Sequence, residues 1–166
     1  MYIADRPVLL RMLLEFPYLA TPLPVIDAAL DSAKFSSGET FADLGCGDGM
    51  VLIRVAERFG VFSVGFEIDR RLVMMAKENA RSAGVGNLID VVESDLFRAD
   101  ISKFNVIYIY PFPPIVQRLS EKILNECGKG TRILVHDYPL VSLHPAKVVC
   151  TSEGGMHTHR IYLYEL

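Results

Sequence analysis

With 166 residues, 51% of them hydrophobic and 22% charged, the chain can fill one α/β core and lies far from the polar bias of disordered segments. A net charge of -3 supplies no overall positive field, which disfavours nucleic acid as a partner. Three cysteines, Cys46, Cys127 and Cys150, are odd in number and form no CxxC pair; this argues against a disulfide framework or a cysteine zinc site and fits a reducing, cytoplasmic setting.

The stretch RPVLLRMLLEF, from Arg6 to Phe16, is apolar but interrupted by Arg6, Arg11 and Glu15. It is too short and too charged for a membrane span, no small-residue cleavage site follows, and it predicts a short helix packed on the domain. Thr21 followed by Pro22 predicts the N-cap and first turn of a second helix. Val25, Ile26, Ala29, Leu30 and Ala33 fall on one face of it, and its end is expected near Ser36, Ser37 and Gly38. From Thr40 the run TFADLG predicts a strand entering a glycine turn, and Met50 to Phe59 a helix leaving it. Val61 to Phe66 reads as a buried strand, Arg70 to Ala83 as a helix closed by Gly84, and Leu88 to Glu93 as the next strand.

Phe104 to Tyr110 predicts a further strand, Ile115 to Cys127 an amphipathic helix, and Thr131 to Tyr138 another strand. Five such βα repeats imply a mostly parallel sheet with helices on both faces. The tail departs from this rhythm. AKVVCTS and HRIYLYEL are strands joined through Glu153, Gly154 and Gly155, which leaves no room for a crossover helix and predicts antiparallel pairing at an edge. One domain over 1–166 is expected, with a helical cap over 1–37 and a cofactor-binding core over 38–166.

In open α/β sheets ligands sit beyond the carboxyl ends of the strands, with the first βα turn as floor. Here that turn is Gly45-Cys46-Gly47-Asp48-Gly49, preceded by Asp43. A dinucleotide loop of the GxGxxG type needs glycine at position 50, which is Met50. Asp43 and Asp48 put carboxylates where a pyrophosphate would lie, and like charges in a low-dielectric cleft repel. Such a loop suits a ligand with a cationic end and no phosphate. S-adenosylmethionine has that character, with its sulfonium, ammonium and ribose. Glu67 ends the second strand, where an acid accepts hydrogen bonds from ribose hydroxyls. Asp95, after the third strand, is placed for the adenine amine. Each acid also has a plain structural alternative: Glu67 or Asp69 as cap of the helix from Arg70, and Asp95 as stabiliser of a turn.

Taken together, the strand, the DxGxGxG turn and the two later acids resemble the class I S-adenosylmethionine-dependent methyltransferases, over Phe41 to Leu166. The resemblance implies a Rossmann-like fold: a mostly parallel seven-stranded sheet with an antiparallel C-terminal hairpin and helices on both faces. It also implies a cofactor-binding set of Asp43, Gly45, Cys46, Gly47, Asp48, Gly49, Glu67, Ile68, Asp95, Leu96 and Tyr108. After the fourth strand, amide and adenine methyltransferases of this class carry Asn or Asp, then Pro-Pro and an aromatic. This chain reads Tyr110-Pro111-Phe112-Pro113-Pro114, without the acceptors that a planar amide needs. An aromatic wall of Tyr108, Tyr110 and Phe112, with Tyr18 opposite, suits an aliphatic amine instead.

Three segments, FPYLATPLPVI, GTRILVHDYPLVSLHPAKVV and HRIYLYEL, are similar to the small archaeal protein-lysine methyltransferases and their mitochondrial relatives. That similarity implies a protein lysine as acceptor. It implies an active-site roof of Tyr18, Thr21 and Pro22 over the methionine end of the cofactor, and catalytic positions at Tyr110 and Tyr18. The alternatives are transfer to a small amine or RNA, or a non-catalytic cofactor-binding module. His136 and Asp137, ending the fifth strand, are expected to shape the substrate channel. His157 and His159 share one face of a strand, but with no third ligand apparent a packing role is expected and no metal.

Overall fold

A computed structural model describes residues 18–153 and 157–166. The helix expected over Arg6 to Phe16 and the turn at Gly154 and Gly155 lie outside the described residues. In chain order the elements are α1 (Leu23–Ala33), β1 (Thr40–Leu44), α2 (Met50–Phe59), β2 (Phe62–Glu67), α3 (Arg70–Ser82) and β3 (Ile89–Glu93). They continue with β4 (Val106–Ile109), α4 (Val116–Glu126), β5 (Arg132–His136), β6 (Lys147–Glu153) and β7 (His157–Glu165). Short 3-10 turns at Gly86–Leu88 and Pro113–Ile115 lead into β3 and α4.

The sheet has seven strands in the order β3-β2-β1-β4-β5-β7-β6. Pairs from β3 through β5 are parallel, while β7 runs antiparallel to both β5 and β6. Strand order therefore reverses between β1 and β4, the point at which such sheets open a crevice at their carboxyl edge. Of the closing pair, β7 takes the interior place because Ile161, Leu163 and Tyr164 are buried, while β6 forms the edge with Val148 and Cys150 exposed.

Alternation along β1 and β4 divides the core. Phe41, Val106 and Tyr108 face α1, α2 and α3, against Ile26, Leu30, Leu52, Val55 and Val73. Ala42, Leu44, Ile107 and Ile109 face the other way, against Leu119 and Ile123 of α4. Helices thus cover both faces, but only β1, β2 and β4 are followed by an α-helix, so the five βα repeats hold three helices, the ones expected from Met50, Arg70 and Ile115. Ala99 and Ile101 are buried beside α4, with Leu96, Phe97 and Phe104 packed on them, so the loop between β3 and β4 fills the layer a crossover helix would occupy.

Helix α1 also differs from expectation at both ends. Its N-cap is Pro22, with no side-chain cap from Thr21. It stops at Ala33 rather than near Gly38, because Lys34 turns left-handed at φ 52° and the Arg132 guanidinium takes up the Ala33 and Lys34 carbonyls.

Candidate functional site

The glycine turn is built almost wholly from backbone. Leaving β1, Gly45 and Cys46 donate their amides to the Phe66 carbonyl of β2, at 2.7 and 3.1 Å. Gly45, Gly47 and Gly49 take φ of 88°, 54° and 82°, a left-handed path that side chains resist. At Gly47 a Cβ would lie 2.3 Å from the Tyr18 ring, so only glycine lets that ring close on the turn.

Glu67, at the end of β2, fixes the far side of the turn. Its Oε2 accepts the Gly47 amide at 2.9 Å, and its Oε1 accepts the amides of Ile68 and Asp69 at 2.8 and 2.9 Å. Asp69 then caps α3 through the Arg71 amide. Of the two caps expected at this corner, Asp69 is the one that forms, while Glu67 accepts the Gly47, Ile68 and Asp69 amides. Asp48 accepts the Met50 amide at the start of α2, and its carbonyl receives the Asn79 side chain from α3 at 2.9 Å.

Asp43 lies beneath the turn, 2% exposed. Burial, with Glu67 and Asp48 close by, raises its carboxyl well above the usual range. Among the described residues no lysine or arginine forms an ion pair with Asp43, Asp48 or Glu67, so the three acids under the turn favour a cationic partner. Cys46 contributes its main chain alone: its side chain is buried, and a Cβ on Gly65 would meet its sulfur at 2.5 Å. An acid-floored, glycine-open turn with no fixed cation suits the sulfonium amino acid better than a phosphate. Asp95 takes its plain alternative, with Oδ1 accepting the Phe97 amide at 2.9 Å and its carbonyl the Arg98 amide. Leu96, beside it, packs on the α4-side core.

The other half of the site is a side-chain network at the ends of β4, β5 and β7. Tyr108 pairs in register with Asp43 and is 3% exposed, so its ring belongs to the core. Its hydroxyl meets the Thr21 hydroxyl and lies 3.0 Å from His136 Nδ1. Thr21 thus touches the top of β4 and does not cap α1. Tyr110, half-buried, donates its hydroxyl to Asp137 Oδ2 at 3.0 Å, and its ring stacks on His136 with centroids 3.8 Å apart. Burial and the Asp137 charge raise the Tyr110 phenol, so it stays protonated. Burial pushes the His136 imidazole down to about 4, against the pull of Asp137, and keeps it neutral.

Burial works against the charge on Asp137. The Arg160 amide, His136, the Tyr110 hydroxyl and His159 outweigh it and hold the carboxyl below its ordinary value. Asp137 sits at φ 60°, locked there by reciprocal bonds with Arg160: its amide to the Arg160 carbonyl at 2.7 Å, and its Oδ1 to the Arg160 amide at 2.8 Å.

Tyr18 belongs to the first half. Its ring lies on Gly47 and its hydroxyl bonds to Asp48, so it roofs the glycine turn. Sequence reasoning underrated His136 and Asp137, whose signal was the pair of polar residues ending an apolar strand. It gave no hint of Asn79 or of the Arg160 backbone clamp. His157 and His159 do have further ligand-bearing neighbours, in His136 and Asp137. A cleft of about 420 Å³ at the opposite end of the sheet gathers one titratable group, Glu39, which Arg132 neutralises.

Comparison with known proteins matches residues 43–147, more than half of the chain, to the family described as the ANTKMT methyltransferase domain. The protein-lysine N-methyltransferase of Saccharolobus islandicus (strain REY15A) is 33% identical over 149 residues, covering 89% of this chain and 92% of its own. The adenine nucleotide translocase lysine N-methyltransferase of Mus musculus is 25% identical over 154 residues, 92% of this chain and 64% of that longer protein. Among solved structures, an RNA methyltransferase from Salinibacter ruber in complex with S-adenosyl-L-homocysteine superposes with a TM-score of 0.82. It is 35% identical and covers 89% of this chain and 93% of its own.

Proposed function

Since the chain belongs to the ANTKMT methyltransferase domain family and is an S-adenosylmethionine-dependent methyltransferase, we propose that its acceptor is the side-chain amine of a protein lysine. The observation that carries this reading is the hydrogen bond from Tyr110 to the charged Asp137 beside the Tyr110–His136 stack. With its proton committed to Asp137, the Tyr110 oxygen keeps lone pairs to accept from an ammonium. The rings of Tyr110 and the exposed Tyr138 offer apolar faces to a lysine stem.

Bound at the acidic turn, S-adenosylmethionine supplies an electrophilic methyl group. Asp43, Asp48 and Glu67 supply a negative floor, and Tyr18, Thr21 and Pro22 cover it from above. A lysine ammonium, with a pKa of about 10.4, must lose a proton before it can attack, and packing against aromatic rings eases that loss. Tyr110, held protonated, orients the amine and is not the base; the proton leaves to water. Positioning is then the main catalytic contribution. We place the protein in the cytoplasm, in keeping with three unpaired cysteines. No helix among the described residues is long and apolar enough to cross a membrane.

Transfer to RNA is the second reading, favoured by what the Salinibacter ruber protein is named for. Against it stand the missing amide acceptors after β4 and the carboxylate of Asp137, which repels phosphate. Incubation with methyl-labelled cofactor and cell extract, split between nuclease-treated and protease-treated samples, separates the two. Methyl-lysine found by mass spectrometry in nuclease-treated protein is the expected result, and label confined to RNA defeats the proposal. Tyr110→Phe should lower turnover by about 10- to 100-fold while leaving cofactor affinity unchanged.

A further inference from the structure

We propose that His136, Asp137 and His159, whose ligand atoms all lie within 4.8 Å of one another, form a binding site for a divalent transition-metal ion of the zinc class with its fourth position open, adjoining the Tyr110 side of the methyl-transfer pocket. Asp137 Oδ2 lies 3.5 Å from His136 Nε2 and 3.5 Å from His159 Nδ1. These separations exceed ordinary N–H···O hydrogen-bond lengths. They do match the edges of a small tetrahedron: metal–ligand bonds of about 2.0–2.2 Å place neighbouring ligand atoms about 3.3–3.6 Å apart. His136 Nε2 and His159 Nδ1, at 2.9 Å, need to part by only a few tenths of an ångström.

What surrounds these atoms is what metal ligands require. The Tyr108 hydroxyl sits on His136 Nδ1 at 3.0 Å and leaves Nε2 to face the cluster, as an outer partner fixes a ligating imidazole. Asp137 is held in its left-handed backbone by Arg160 on Oδ1, which turns Oδ2 to the histidines, and Oδ2 retains a lone pair for the Tyr110 hydroxyl. His157 and His159, two apart on β7, point to the same side with their rings 4.4 Å apart. Two imidazoles and one carboxylate, with a fourth position left to water, favour zinc, cobalt or nickel over magnesium or calcium, which prefer oxygen. An ion here would pin the end of β5 to β7, directly under the aromatic wall.

Full-length chain, produced without a polyhistidine tag and stripped with chelator, is titrated with zinc chloride by calorimetry and with cobalt(II) by visible absorption. One equivalent of zinc should bind, and cobalt should develop the intense visible bands of four-coordinate nitrogen and oxygen ligation. His159→Gln and Asp137→Asn should each weaken zinc binding at least about 10-fold. His144→Gln, outside the cluster, should change nothing. The absence of saturable binding at micromolar zinc would overturn the proposal, as would an affinity unmoved by both His159→Gln and Asp137→Asn. Methyl transfer is read separately, so the lysine reading stands or falls on its own.

Discussion

The two halves of the site are made in opposite ways. Around the glycine turn, main-chain amides are aimed by three left-handed glycines and one carboxylate, Glu67, and the side chains add an acidic field. At the ends of β4, β5 and β7, side chains bond to side chains: Tyr108 to His136, His136 to His159, Tyr110 to Asp137. The first half depends on neighbours close in sequence or on adjacent strands of one βαβ unit. The second draws on Thr21, Tyr110, Asp137 and His159, which only the complete sheet brings together. Cofactor recognition can therefore stay fixed while acceptor recognition drifts.

The contrast can be broken at its strongest point with Glu67→Ala. Removing a charged acceptor from three amides should lower stability by about 3 to 5 kcal/mol by denaturant titration, taking about 1.5–3 kcal/mol per charged bond with partial rehydration. Cofactor binding by calorimetry should fall more than about 100-fold. If the halves are independent, the acceptor half keeps its pH response in this variant.

That response is the next largest effect. The folded-state pKa of His136 is depressed, so between about 4 and 6.5 the unfolded chain binds more protons than the folded one. Stability is full above pH 6.5 and declines as pH falls through that window, by about 2 to 3 kcal/mol. Melting temperature measured from pH 7 to 4 should follow this slope. His136→Gln should flatten it without altering cofactor affinity.

The smallest effect sharpens the comparison from the other side. The folded-state pKa of Asp43 is raised, so its charge opposes folding increasingly as pH rises above about 4. Asp43→Asn should gain about 1 kcal/mol of stability at pH 7 without cofactor and lose about tenfold in cofactor affinity. A variant that lost both would show that Asp43 serves the fold more than the ligand.

How much of this was legible in the chain follows the same division. Helix α2 runs over the expected Met50–Phe59, and the antiparallel closing pair follows from a connection too short for a crossover. The count of five βα repeats misled, because the connection after β3 packs Leu96, Ala99 and Ile101 into the layer as a loop, which apolar residues alone do not distinguish from a helix. Thr21 misled for a similar reason. Before Pro22 it has the sequence of an N-cap, yet its hydroxyl goes to Tyr108, a partner that periodicity cannot reveal.

The sequence by itself determined the βα order, the glycine turn and the acids that make it hospitable to a sulfonium. Those features rest on backbone conformation and on charges a few residues apart. Only the tertiary structure decided that Glu67 spends its oxygens on amides, that Tyr18 roofs Gly47, and that Asp137 gathers Tyr110 and three histidines. A side-chain network between strands is set by register and twist, and a one-residue slip of β7 against β5 would turn His159 to the opposite face and dissolve it.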